Sequence, residues 1–207
     1  MLFLASLQLD RLTDFLPKEP FVMAFVPTAA GGEGPGPWPW VEQDRTFFEA
    51  MDCRIDELAL TDLPEAGASV LDEYDHVHVT GGNTFYLLQE MRRSGFDQAL
   101  TKYLNDGGSY SGASAGAIVV SQDIAWASPF DDRSKAPLLS DTKGLGLVQF
   151  DPLVHWDGAI QSRREDVRNE LLSQGRRVVP LRDHEAAVVD SAGERILATD
   201  GTERAIG

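Results

Sequence analysis

The run Gly112-Ala113-Ser114-Ala115-Gly116 encloses one hydroxyl between residues with almost no side-chain bulk. A serine hydroxyl is a weak nucleophile. The spacing G-x-S-x-G presents it on a sharp strand-to-helix turn, where larger neighbours would collide with the adjoining strand and helix. The chemistry open to such a serine is attack on a carbonyl, with the N–H of Ala115 aimed at the developing oxyanion from a helix N-terminus. A Gly/Ala-rich turn packed closely for structural reasons has the same five letters, so the reading needs partners elsewhere in the chain.

The stretch "VTGGNTFYLL", residues 79–88, offers one. A strand that ends in two glycines before an N-capped helix leaves backbone N–H groups at the carboxyl edge of a sheet, where open α/β sheets keep their sites. Gly81 or Gly82 is a second candidate oxyanion donor. A phosphate-binding turn is the competing reading, but no G-K-[ST] follows.

A serine also needs a base, and there are four histidines, His76, His78, His155 and His184. His76 and His78 share one face of "HVHV" and read as the polar face of a strand. His155 follows an apolar run broken by Pro152, a strand or loop able to bring the imidazole back over the sheet. For the acid that orients it, Asp183 at the exit of a strand is the first choice, with Asp131, Asp132 and Glu185 as rivals. Most of the 33 acidic residues must be ordinary solvated charges.

The elements that would position these groups are short apolar runs alternating with amphipathic segments, the pattern of an α/β fold. Strands are expected over residues 2–6, 21–27, 53–58, 76–82, 109–114 and 177–181. Helices are expected over 45–51, 84–93, 96–104, 115–121 and 162–174, with Asn83 as an N-cap and Gly95 as a C-terminal stop. Residues 185–201 read as an antiparallel hairpin. Residues 28–40 and 128–144 read as long irregular loops.

Composition bounds the rest. With 207 residues, 43% hydrophobic, the chain is expected to form one domain over 1–207. A net charge of -15 repels phosphate backbones and anionic lipid, so neither nucleic acid nor a membrane surface is an expected partner. The single cysteine, Cys53, reads as a core residue and fits a reducing compartment. "MLFLASLQLDRL" lacks a basic n-region, and Asp10 and Arg11 cut its apolar run short. A cytoplasmic location is the expectation.

Taken in order, "TGGNTF", "SGASAGA" and "PLVHW" resemble the dipeptidase E and cyanophycinase family of serine peptidases, over most of the chain. The resemblance implies an α/β three-layer sandwich related to class I glutamine amidotransferases, with a mostly parallel sheet, a C-terminal hairpin and no cofactor or metal. It implies Ser114 as nucleophile, His155 as base, and Gly82 with Ala115 as oxyanion hole. The third member falls either near Asp131 and Asp132 or near Asp183, and Asp183 is favoured. Relatives that prefer an amino-terminal aspartate need a cation for it, and Arg163 and Arg164 resemble the family's arginine-bearing segment; surface pairing with Glu165, Asp166 and Glu170 is the plainer role. The expected partner is a short peptide, and a homodimer is left open. An esterase, a cyanophycin-degrading enzyme and a non-catalytic binding protein on the same fold are the alternatives.

Overall fold

A computed structural model describes residues 1–18, 20–64 and 69–206. Its strands are β1 (Leu2–Ala5), β2 (Phe21–Val26), β3 (Cys53–Glu57), β4 (His76–Val79), β5 (Tyr110–Ala113), β6 (Asp151–Leu153), β7 (Val178–Pro180), β8 (Glu185–Asp190), β9 (Gly193–Ala198) and β10 (Glu203–Ala205). Its α-helices are α1 (Thr28–Gly31), α2 (Pro39–Glu49), α3 (Thr84–Ser94), α4 (Phe96–Asn105), α5 (Ala115–Ile118) and α6 (Gln161–Ser173).

Eight strands form one sheet in the order β10-β9-β8-β1-β5-β4-β2-β3. From β1 to β3 every pairing is parallel, and β8, β9 and β10 extend the sheet antiparallel beyond β1. This is the mostly parallel α/β sheet with a C-terminal antiparallel addition that the alternating pattern predicts. β1 shows why the sheet is buried on both faces. Leu2 and Leu4 enter one core cluster, Phe3 and Ala5 the other, because successive side chains of a strand point to opposite sides.

Several elements differ from expectation. Residues 28–40 are not wholly irregular: α1 lies within them, and α2 begins at Pro39, whose fixed φ suits a first helical turn. The helix expected at 45–51 is therefore the second half of a longer one. The strand expected at 177–181 is outside the main sheet, since β7 pairs with β6 in a separate two-stranded parallel sheet. β10 was not expected. α5 ends at Ile118, and beyond it the carbonyls of Val119, Val120 and Ser121 accept the N–H groups of Leu145, Leu147 and Gly146 from a later segment. Asn83 does cap α3, accepting from the Tyr86 N–H at 3.0 Å, and Gly95 ends it at φ 73°. Cys53 is only half-buried, its thiol directed at the Phe48 carbonyl. No helix among the described residues is long and apolar enough to cross a membrane.

Candidate active site

Three strand ends build the site. β1, β4 and β5 run side by side and parallel, so Ser6, Gly81 and Ser114, which follow them, emerge along one edge of the sheet. Ser114 sits at φ 50°, ψ -108°, outside the regions an L-residue normally occupies. It is held there because its N–H donates to the Ala5 carbonyl at 3.1 Å, while its own carbonyl receives the N–H groups of Ala117 and Ile118, each at 2.9 Å. Strained backbone of this kind survives only where the surroundings fix it from several sides.

Among the described residues, His155 is the other non-glycine residue with positive φ, at 55°. It follows β6 on a strap tied down at successive points. The His155 N–H donates to Ser6 Oγ at 2.7 Å, the Trp156 N–H to the Leu181 carbonyl at 2.9 Å, and Arg164 Nε to the Val154 carbonyl at 2.9 Å. This turns the imidazole over β5 and sets Nε2 3.0 Å from Ser114 Oγ. Its other nitrogen, Nδ1, lies 2.6 Å from Asp183 Oδ1. Ser6 Oγ, having accepted from His155, donates onward to the same Asp183 oxygen at 3.2 Å. One buried hydroxyl thus sets both the imidazole's backbone and the carboxylate behind it.

The rival carboxylates are engaged elsewhere. Asp131 Oδ2 accepts the Thr84 N–H at the start of α3 at 2.8 Å, and burial raises its pKa above the usual carboxylate range. Asp132 is engaged by Ser134, whose side chain first and whose N–H second, donating to Oδ1 at 2.9 Å, lower its pKa. Glu185 accepts from the Arg182 N–H and pairs with Arg204.

Opposite Ser114, the N–H groups of Ala115 and Gly82 have no hydrogen-bond partner among the described residues. Gly82 has φ 142°, and a Cβ there would lie 2.3 Å from the Ala29 backbone, so only glycine lets this turn close against α1. The Gly81 carbonyl accepts from Trp40 Nε1 at 3.1 Å. In a trans peptide the C=O and the following N–H point opposite ways, so the Trp40 indole also fixes the direction of the Gly82 N–H. These groups enclose a cavity of about 210 Å³, lined by Trp40, Asp44, Gly81, Gly82, Ser114 and His155 among others. Arg163 and Arg164 are not part of that lining. Arg163 donates to the Pro129 carbonyl; Arg164 is buried, with its guanidinium over the Phe130 ring and Nη1 sealed from solvent.

Ser6, Trp40 and Asp44 were missed in the sequence. The available signals were slight: Ser6 directly follows a strand, and Trp40, Asp44 and Phe48 recur every four residues, as one face of a helix requires.

His76 and His78 are not a solvated polar face. Both are fully buried under α2, against Phe48 and, for His78, Phe25. They are joined in a chain: Ser109 Oγ to His76 Nδ1 at 2.9 Å, His76 Nε2 to Ser111 Oγ at 2.7 Å, Ser111 Oγ to His78 Nδ1 at 2.7 Å, and His78 Nε2 to Asp44 Oδ2 at 3.2 Å. Burial first, then the charge of His78, lowers the His76 pKa from 6.5 to about 3. The unfolded chain therefore takes up a proton that the folded chain refuses, and stability falls as pH drops below about 6.5. His76 alone should make the protein about 2 kcal/mol less stable at pH 5 than at pH 7. Urea melts at the two pH values should show that difference shrinking in His76→Gln; an unchanged difference would mean the ring is protonated in the fold.

A serine and a histidine in contact at the carboxyl edge of a mostly parallel α/β sheet form the layout of nucleophilic hydrolases. The comparisons agree: residues 5–197 match the model of Peptidase family S51, and the chain belongs to that family. Uncharacterized peptidase Lmo0363 of Listeria monocytogenes is 32% identical over 170 residues, 81% of each chain. Peptidase E of Streptomyces coelicolor is 33% identical over 146 residues, 70% of this chain and 55% of that one. A crystal structure named "Putative Peptidase E Protein" from Listeria monocytogenes superposes with a TM-score of 0.82 at 27% identity, covering 95% of this chain and 97% of the other.

Proposed function

We propose that this peptidase is of the serine type and hydrolyses short peptides. The observation that carries the reading is the pair of contacts on one imidazole, 3.0 Å to Ser114 Oγ and 2.6 Å to Asp183 Oδ1. In this reading Ser114 Oγ attacks the scissile carbonyl carbon as its proton passes to His155 Nε2. The carbonyl oxygen becomes an anion held by the N–H groups of Gly82 and Ala115. Collapse of the tetrahedral species breaks the C–N bond, and the amine leaves with the proton from His155. Water then adds to the acyl-serine, with His155 again as base, and frees the acid. Asp183 accepts from Nδ1–H, which orients the ring and stabilises the imidazolium. Trp40 acts through the Gly81–Gly82 peptide, holding the Gly82 donor in place before substrate arrives.

A preference for amino-terminal aspartate would require a cation beside the acyl residue. Neither Arg163 nor Arg164 supplies one to the cavity, so the reading carries no such preference. A fluorophosphonate probe should attach to Ser114, located by peptide mapping, and saturating Ala-Leu should slow the labelling. A protein that hydrolyses Ala-Leu while its Ser114 stays unlabelled would sink the serine mechanism.

A further inference from the structure

Asp44 lines the same cavity as Ser114 and His155, although its side chain is only 6% exposed. The mechanism above does not use it. It stands at the end of the buried chain that runs from Ser109 through His76, Ser111 and His78. An ionised carboxylate only accepts hydrogen bonds. In the neutral form of both rings, one order of donors then fills every link: Ser109 to His76, His76 to Ser111, Ser111 to His78, and His78 to Asp44. In that order the chain has a direction, and its carboxylate end opens on the cavity.

The Asp44 carboxylate has few partners. Oδ2 receives one N–H at 3.2 Å, and Oδ1 has no hydrogen-bond partner among the described residues. Among the described residues, no lysine or arginine lines the cavity. A carboxylate drawn this far out of water is costly unless a positive group joins it. We propose that Asp44 binds a cationic nitrogen on the acyl half of the substrate, foremost the free α-ammonium of an amino-terminal residue. The proposal rests on the serine-peptidase reading and names the substrate feature that site selects. In a dipeptide the ammonium is one carbon removed from the carbonyl that Ser114 attacks, so anchoring it also places that carbonyl. A small cavity suits one terminal residue better than the middle of a long chain. An acidic acyl side chain would bring a second carboxylate toward Asp44, so Asp-Leu should be no better a substrate than Ala-Leu.

The test measures kcat/KM for Ala-Leu, acetyl-Ala-Leu, acetyl-Lys-Leu and Asp-Leu in the wild type and in Asp44→Asn. Acetylating Ala-Leu should cost the wild type about 10- to 100-fold, the range of a charge-assisted contact. In Asp44→Asn, Ala-Leu should lose a similar factor, and its advantage over acetyl-Ala-Leu should close to within about threefold. Because this readout is a ratio on one protein sample, partial misfolding does not imitate it. Asp44→Ser, which can still accept from His78, gives the same readout if the asparagine variant is insoluble. If acetyl-Lys-Leu matches Ala-Leu in the wild type and loses that standing in the variant, the bound cation can come from a side chain; if it behaves as acetyl-Ala-Leu, the α-ammonium is the group bound. Equal wild-type rates on Ala-Leu and both acetylated peptides would overturn the proposal, as would an equal loss on all of them in Asp44→Asn. Fluorophosphonate labelling separates the two levels. A labelled Ser114 with indifference to acetylation overturns only the role of Asp44, whereas an unlabelled Ser114 and no hydrolysis overturn the peptidase mechanism as well.

Discussion

Asp183→Ala should lower kcat for Ala-Leu by about 10³- to 10⁴-fold, and Ser114→Ala by at least as much. The argument is geometric. Asp183 Oδ1 sits 2.6 Å from His155 Nδ1, and without it nothing fixes that nitrogen as the protonated one or offsets the charge the ring acquires during attack. In the serine-peptidase reading the three groups act as a unit, so their losses should not multiply. The double variant Ser114→Ala, Asp183→Ala should be no slower than Ser114→Ala alone, because a base without a nucleophile has nothing to deprotonate. Asp131→Ala is the sharp control. Asp131 takes up the Thr84 N–H at the start of α3. Its removal should cost about 1 kcal/mol of stability, roughly 2–4 °C in Tm, and leave kcat within about threefold. Were Asp131→Ala to lose as much activity as Asp183→Ala, with no change in Tm, the acid would have been misassigned.

The residues that were legible in the sequence are those whose constraint is local. Ser114 is readable because its turn tolerates only small neighbours within two positions, and Asn83 because a cap acts on the N–H three residues on. His155 is readable as one of only four histidines, and Asp183 only as the best placed of several carboxylates. Asp44 carried only the slight signal of its four-residue spacing with Trp40 and Phe48, being one acidic residue among 33 in a stretch whose helix begins earlier than its Gly- and Pro-rich surroundings suggest. Ser6 reaches Asp183 across 177 positions of chain, and no local pattern signals that. His76 and His78 were misread for a related reason. Alternation correctly puts them on one face of β4, but which face meets solvent is decided by α2, which lays Asp44 and Phe48 over them. Arg163 and Arg164, suggested for substrate binding only through the family resemblance, are not among the residues lining the cavity beside Ser114. Arg164 instead supports the strap carrying His155, holding the Val154 carbonyl from a buried position where desolvation lowers its pKa.

The turn that raises Ser114 leads to the second large effect, on folding. A Cβ added at Gly116 would lie 2.3 Å from the Val79 carbonyl oxygen and 3.0 Å from its carbon, and one added at Gly112 would lie 2.4 Å from the Gly116 backbone. These obstacles are main chain at the centre of a parallel sheet, so no side-chain rotation relieves them. Gly116→Ala should cost about 3 kcal/mol or more, equivalent to roughly 6–12 °C in Tm for a chain of this size. Gly175→Ala is the comparison: φ is 75° there, but nothing lies within 4 Å, so the penalty should be about 1–2 kcal/mol from conformation alone. The damage at Gly116 should also reach the chemistry in whatever protein still folds. Relief of the clash means separating α5 from the end of β4; Ala115 begins the helix and Gly82 follows the strand by three residues, so the two proposed oxyanion donors would move apart. Soluble Gly116→Ala should therefore show a depressed kcat at temperatures well below its melt, while Gly175→Ala keeps the wild-type value. Similar Tm losses in the two variants would show that the close packing of this turn is not what holds Ser114 in its strained conformation.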